Sequence, residues 1–170
     1  MCIRDRGCQT VGITSTPEKC QQLKAKVGFD AALSYRSEDF RGELKDTCAN
    51  GVDIYFDNTG GDILGMALRR MNVHSRIVCC GVVSQYDTSN PGAAPTGIPG
   101  LLVNKRIRME GFLIFDYASQ FETAREEIKG WIKSGTLTAL NDEFDGLDKA
   151  PAACVDLLAG GNIGTRIVRI

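Results

Sequence analysis

The residues best suited to chemistry lie where an apolar run breaks. Gly51 to Gly65 reads "GVDIYFDNTGGDILG": Val52 to Phe56 have the β-branched and aromatic character of a strand, and Asp57, Asn58, Thr59, Gly60 and Gly61 follow before a helical pattern begins. Asn58 can hydrogen-bond a ligand, and two glycines let a ligand approach the backbone and leave the amides of the next helix free to donate. Equally, Asp57 and Asn58 could do no more than turn the chain and cap a helix.

A second strand end has different chemistry. "VGIT" runs into Ser15 and Thr16, with Lys19 one helical turn later and no carboxylate at the tip. NAD-binding sheets place an acid there to grip the adenosine ribose. Hydroxyls and an ammonium suit a 2′-phosphate, so the pattern favours NADP(H) over NAD(H) and over S-adenosylmethionine, unless Lys19 is one more solvated lysine. No metal site is expected. The single histidine, His74, reads as a solvated residue between a helix and a strand, and the seven cysteines (2, 8, 20, 48, 79, 80 and 154) include no CxxC spacing. They read as reduced thiols of a cytoplasmic protein.

Bulk composition narrows the classes. The chain has 170 residues, is 43% hydrophobic and carries a net charge of -1, enough apolar material for one domain and no basic footprint for nucleic acid. No apolar run reaches membrane-spanning length and no secretory signal pattern is present, so no membrane partner is expected.

The elements that must position these residues alternate. Residues 8 to 14 read as a buried strand. Thr16 and Pro17 open a helix that Gly28 stops, "AALSY" is a second strand, and Ser37 caps a helix with Glu38 and Asp39 in its first turn. After Asp57, a helix face of Ile63, Leu64, Ala67, Leu68 and Met71 leads to the apolar run "RIVCCGVV". Continuous apolar strands alternating with amphipathic helices predict an α/β fold whose parallel sheet is covered on both faces. The proline- and glycine-rich stretch from 86 to 105 breaks the rhythm as a long loop. A strand "RIRMEGFLIFD" then precedes a helix with Phe121, Ala124, Ile128, Trp131 and Ile132 on one face, ended by Gly135. "TLTAL" reads as a short strand, Leu147 to Leu158 as a helix and "TRIVRI" as a terminal strand. The first six residues, "MCIRDR", fit neither the following strand nor any targeting pattern; they read as a non-native leader or a frayed terminus.

Seven ordered segments, "VGITSTPEKC", "GFDAALSYRSEDF", "GVDIYFDNTGGDIL", "RIVCCGVVSQYD", "RMEGFLIFDY", "DGLDKAP" and "GGNIGTRIVRI", together resemble the C-terminal half of zinc-independent medium-chain dehydrogenase/reductases. The branch resembled is the NADPH-dependent alkenal/one oxidoreductases, which include prostaglandin reductases and plant double-bond reductases. The resemblance implies a partial Rossmann fold, a doubly wound and mainly parallel sheet. It implies that Lys19 meets the 2′-phosphate of NADP(H), that Tyr35 lies beside the adenosine, and that Asn58 contacts the cofactor. It also implies that Cys80, Gly81, Val82, Val83, Ser84, Gln85 and Tyr86 run along the cofactor, that Phe112, Leu113 and Ile114 lie under the nicotinamide, and that Asn162 is a further contact.

Two departures matter. Many relatives have lysine where this chain has Thr165, and several have a tyrosine proposed to assist protonation where it has Asn104, so no catalytic residue carries over. Relatives begin with a GroES-like substrate domain, a first Rossmann strand and a Gly-rich loop, which nothing before Gly7 could encode; the chain is therefore expected to be a fragment, inactive alone. The expected domains are a leader (1–6), a partial dinucleotide-binding domain (7–135) and a segment (136–170) that would pack towards the GroES-like domain. In the usual order 3-2-1-4-5-6 the first strand joins both halves of the sheet. Lys19 and Asn58 are nonetheless expected at neighbouring tips of a single parallel sheet.

The implied reaction is hydride transfer from NADPH to the C=C bond of an enal or enone, in a homodimer paired along the "RIRMEGFLIFD" edge. That segment could instead be an ordinary last strand. Two other readings stay open: an NADPH-quinone reductase, and a non-catalytic remnant that folds and dimerises or offers its edge strand as an interaction surface.

Overall fold

The computed structural model describes residues 7–86, 89 and 95–170; the leader expectation (1–6) and most of the proline-rich loop fall outside the described residues. The chain divides into two units, 1–37 with 122–170 and 38–121. Among the described residues seven strands form three parallel sheets, β1-β2, β3-β4-β5 and β6-β7. The class is α/β, as expected.

In the first unit, β1 (Val11–Thr14) pairs in parallel with β2 (Ala31–Ser34), Thr14 lying opposite Ser34. Between them runs α1 (Pro17–Gln22), which starts where the sequence predicts: the Lys19 amide donates to the Thr16 hydroxyl oxygen at 3.3 Å, and Pro17 opens the first turn. The helix widens into a π turn (Leu23–Val27) and stops at Gly28, whose φ of 76° is the left-handed cap only glycine adopts at low cost. Strand and helix approach closely because position 12 is glycine: a Cβ there would lie 2.9 Å from Leu23 Cδ1. Ahead of β1, the buried Thr10 donates its amide and hydroxyl to Asp30 Oδ2 at 2.7 and 2.9 Å, tying the start of β1 to that of β2.

The same unit holds α5 (Phe121–Lys133) from its second residue, β6 (Asn141–Asp145), α6 (Ala150–Leu158) and β7 (Thr165–Arg169). Strands β6 and β7 are parallel, with Asn141 opposite Thr165. "TLTAL" is not a strand; the strand starts at Asn141, where Asp142 and Phe144 alternate inward. The sequence hides this because an inward aspartate reads as polar surface, whereas here Arg166 neutralises it. The apolar face of α5 does form a helical stripe, but Ile128 and Ile132 stay exposed.

The second unit begins with α2 (Phe40–Thr47). Its cap is Asp39 rather than Ser37, because Asp39 Oδ1 accepts the Gly42 amide at 3.1 Å while the Ser37 amide closes a turn onto Ser34. Then come β3 (Val52–Asp57), α3 (Gly61–Arg70), β4 (Met71–Cys79), α4 (Ile98–Lys105) and β5 (Arg108–Gly111). All three strands are parallel. The core is Leu64, Leu68, Met71, Ile77 and Ile107, with Tyr55, Leu101 and Met109 packed on it.

Several expectations change here. Among the described residues of this unit, α3 and α4 pack on the side of the sheet carrying Tyr55 and Ile77, while Ile54 and Phe56 on the other side of β3 are 51% and 54% exposed, so cover on both faces is not seen here. The 86–105 stretch contains α4, which follows a left-handed Gly97 and carries Pro99 in its first turn. "RIVCCGVV" leaves the sheet at Cys79, and "RIRMEGFLIFD" does so at Gly111 before a 3₁₀ stretch, Ile114–Gln120. Within the chain, the strand of that segment pairs with β4 on one side and lies at the end of the strand order. His74 is exposed, as expected, but inside β4, with a φ of 64° at an irregularity in its pairing with β3. Finally, Lys19 and Asn58 follow strands of two different sheets. The orders β2-β1 and β3-β4-β5 are the flanks of the doubly wound arrangement, with no strand of the described residues joining them, so the single shared sheet expected for the two residues is not what forms.

Candidate functional site

In the second unit, three strand ends bring residues together. Asp57 closes β3 and is only 2% exposed. Its Oδ1 accepts the Thr59 amide at 3.2 Å, the Gly60 amide at 2.9 Å and the Tyr55 hydroxyl at 3.3 Å, folding the chain into a tight turn. Gly60 takes a φ of 71° and ψ of -152°, open essentially to glycine alone, and α3 starts on the next residue. The Asp57 carbonyl accepts the Cys80 amide at 2.7 Å and the Gly81 amide at 3.4 Å. One residue thus shapes the loop after β3 with its carboxylate and anchors the segment after β4 with its backbone.

That segment then follows the first loop, the Val83 amide donating to the Asn58 carbonyl and the Ser84 amide to the Thr59 carbonyl. Asn58 is exposed, and its side chain lies over Gly81, where a Cβ would come within 2.5 Å of Asn58 Oδ1. A 3₁₀ turn over Val83–Gln85 leaves Val83 and Tyr86 exposed. At the end of β5, the Phe112 amide donates to the Cys79 carbonyl at 3.3 Å, and Leu113 and Ile114 stand exposed beyond it. The structure therefore brings Asn58, Cys80 to Tyr86 and Phe112 to Ile114 to the carboxyl end of one parallel sheet, the end at which open α/β sheets bind ligands.

Burial, and then the Asp57 carboxylate, push the Tyr55 phenol far above its ordinary value, and burial followed by Asp57 raises the Cys79 thiol. The Asp57 carboxylate is enclosed and spent on its own loop. What remains accessible is the Asn58 carboxamide, the Cys80 thiol, the Ser84 hydroxyl, the Tyr86 ring, glycine backbone and apolar side chains, a surface suited to a planar ring.

The remaining candidates lie in the first unit. Lys19 donates from Nζ to the Gly160 carbonyl, and its charge is one of the smaller influences lowering the Asp142 carboxyl. Asn162 Nδ2 donates to the Gly164 carbonyl at 2.8 Å, in the same loop after α6. Tyr35 follows β2, its amide on the Thr14 carbonyl and its exposed ring 5.8 Å from the Arg36 guanidinium. The Thr16 hydroxyl oxygen is committed to the cap of α1.

Sequence reading missed the cluster that holds this unit's C-terminal ribbon. Arg166, its side chain 6% exposed, donates to Asp142 Oδ2 from Nη2 at 2.5 Å and from Nε at 3.2 Å. Its Nη1 reaches Asp156 at 2.5 Å and the Ala153 carbonyl at 3.1 Å. Its guanidinium also lies 4.8 Å from the Phe144 ring centroid. Hydrogen bonding from Arg166 is the main reason the Asp142 carboxyl falls below its ordinary value. The sequence signal was Arg166, one of two arginines among the apolar residues of "TRIVRI". Also underread was Asp57, taken as a plain turn residue; its burial was the part no local pattern revealed.

Among the described residues, no group of three or more His, Cys, Asp or Glu side chains is arranged to hold a metal ion, and no helix is long and apolar enough to cross a membrane. Comparison with known proteins gives consistent matches. The chain is 41% identical over 167 residues to the NADP(+)-dependent 2-alkenal reductase of Nicotiana tabacum, covering 96% of this chain and 48% of that protein. It is 40% identical to the (+)-pulegone reductase of Mentha piperita, with the same coverage. The crystal structure of CurA from Vibrio vulnificus in complex with NADPH superposes with a TM-score of 0.89 at 35% identity, over 98% of this chain and 50% of that one. The chain thus spans about half the length of the curated relatives it matches. A family profile described as zinc-binding dehydrogenase matches residues 1–130, and the chain belongs to that family.

Proposed function

We propose that this chain supplies nicotinamide-nucleotide contacts to an NADPH-dependent reductase of the C=C bond in α,β-unsaturated aldehydes and ketones. The observation that carries this reading is the convergence of Asn58, Gly81 and the exposed apolar residues Val83, Leu113 and Ile114 at the carboxyl end of β3-β4-β5. The fit is steric: Gly81 keeps a side chain out of the space beside Asn58, and Gly60 keeps one away from Val82 and Ser84. In the proposal, Asn58, Cys80 to Tyr86 and Phe112 to Ile114 are contacts of NADP(H), and Lys19, Tyr35 and Asn162 are proposed as further cofactor contacts. Lys19 exchanges the Gly160 carbonyl for the 2′-phosphate, a stronger acceptor because it is charged.

The cofactor supplies hydride; the protein orients it and excludes water. No residue is assigned as proton donor, since the tyrosine expected for that role is Asn104 here. Support for the substrate class comes from the two plant reductases named above, and support for NADPH from the CurA complex. The proposed location is the cytoplasm, with homodimerisation and the three-part domain division of 1–6, 7–135 and 136–170 as further parts of the proposal. A second reading, a folded module without catalysis, is favoured by one observation: β1-β2 and β3-β4-β5 are separate sheets.

Titrating NADPH and NADH against the purified chain by cofactor fluorescence separates the two. Preference for NADPH, lost in Lys19→Met, supports the reductase reading; no saturable binding of either supports the module.

A further inference from the structure

We propose that the cleft between α2 and α3 is a binding site for a small phosphate-bearing anion, distinct from the residues assigned to the nucleotide. The cleft encloses about 410 Å³ and lies wholly within the second unit. Arg41 and Lys45 face it from α2, Arg69 and Arg70 from α3, with Asp39 and Met66 completing most of its wall. Four cations therefore meet one carboxylate, and that carboxylate is engaged with the Gly42 amide as the cap of α2. None of the four cations has a salt-bridge partner among the described residues.

Arg70 makes this more than a solvated patch. Its Nη2 donates to the Cys48 carbonyl at 2.8 Å, fixing the guanidinium, while its Nε is buried and has no acceptor. The bond to Cys48 holds the Arg70 guanidinium at the wall of the cleft, and a planar arginine fork held in place matches an oxyanion better than a mobile ammonium does. A neighbouring cation adds to the positive potential: Lys105, whose ammonium donates to the Arg69 and Met71 carbonyls, has its pKa lowered by burial and then by the charge of Arg70.

The C-terminal position of Arg69 and Arg70 on α3 suits the helix dipole and accounts for those two alone. It does not account for Arg41 and Lys45, one turn apart on a different helix and lining the same cleft. The volume lies in the range of small-molecule sites, and arginine forks match phosphate better than a single carboxylate charge. Inorganic phosphate and phosphate monoesters share that chemistry.

The test is calorimetric titration of the whole chain with inorganic phosphate, with glycerol phosphate and with acetate as control. It compares the unaltered protein, Arg41→Ala/Lys45→Ala, Arg70→Lys and Lys19→Met, each checked for fold by circular dichroism. Saturable binding of either phosphate compound is expected, weakening with salt and exceeding acetate; the tighter of the two identifies free or esterified phosphate as the ligand. Affinity should fall at least about tenfold in the double variant, which loses two charge-assisted contacts, and several-fold in Arg70→Lys, which keeps the charge and loses the planar fork. Lys19→Met should keep the binding event of the cleft, losing at most a separate event at the lysine assigned to the 2′-phosphate, so failure of that assignment leaves this result unchanged. Absence of saturable binding, or binding lost in Lys19→Met and intact in Arg41→Ala/Lys45→Ala, overturns the proposal.

Discussion

Replacing Asp57 by alanine removes the one acceptor shared by the Thr59 amide, the Gly60 amide and the Tyr55 hydroxyl. The Gly60 bond is buried at 2.9 Å and the Thr59 bond part-buried at 3.2 Å, so two amides lose their partner inside protein. A buried donor left unpaired costs about 1–3 kcal/mol, and the long Tyr55 contact adds little, which puts the loss near 2–4 kcal/mol. Relief from enclosing a carboxylate works the other way and favours the lower end. In amide hydrogen exchange this is roughly a thirtyfold or greater loss of protection at residues 59 and 60, since about 1.4 kcal/mol is one factor of ten. Asp57→Asn retains an oxygen acceptor but not its charge, and should cost about half as much. The Cys80 amide bonds to the Asp57 backbone carbonyl, which alanine keeps, so its protection should fall far less. Unchanged exchange at Thr59 and Gly60 in Asp57→Ala would refute the claim that this carboxylate builds the loop.

Other perturbations follow from the same contacts. Gly81→Ala would place a Cβ 2.5 Å from Asn58 Oδ1, so it should weaken NADPH binding by about 1–3 kcal/mol of misfit while leaving far-UV circular dichroism intact. Leu68→Ala empties a fully buried position among Leu64, Met71 and Ile77 and should cost about 2–5 kcal/mol by urea denaturation. The pairing of Asp142 with Arg166 depresses that carboxyl, so its stabilisation is fully present above the ordinary value of 3.8 and is lost as pH falls through the lower folded value. Amide exchange in β6 and β7 should therefore rise below about pH 4, and Arg166→Met should abolish that dependence while raising exchange at pH 7.

Local signals were the legible ones. Thr16 and Pro17 begin α1, Gly28 ends its π continuation and Gly135 follows α5, because caps and left-handed glycines act within a few residues. The core-facing residues of α3 were also readable, since Leu64, Ala67 and Leu68 repeat at helical spacing. What failed depended on partners distant in sequence. Ile54 and Phe56 carry strand chemistry whichever face is covered, so their exposure could not be read from "VDIYF". Asp142 points inward only because Arg166 receives it, and the break between the β1-β2 and β3-β4-β5 sheets is a property of pairing rather than of any strand. In the candidate site, the grouping of Asn58 with Cys80 to Tyr86 was anticipated from family segments; the buried Asp57 that ties them together was visible only in three dimensions.

The central claim is that the strand ends gathered by Asp57 form the nicotinamide surface, and an NMR titration of the ¹⁵N-labelled chain with NADPH tests it most directly. Amide shifts at Gly60, Gly61, Gly81, Ser84 and Leu113, saturating together, are the predicted result. Saturable binding that leaves those five amides unmoved would contradict it.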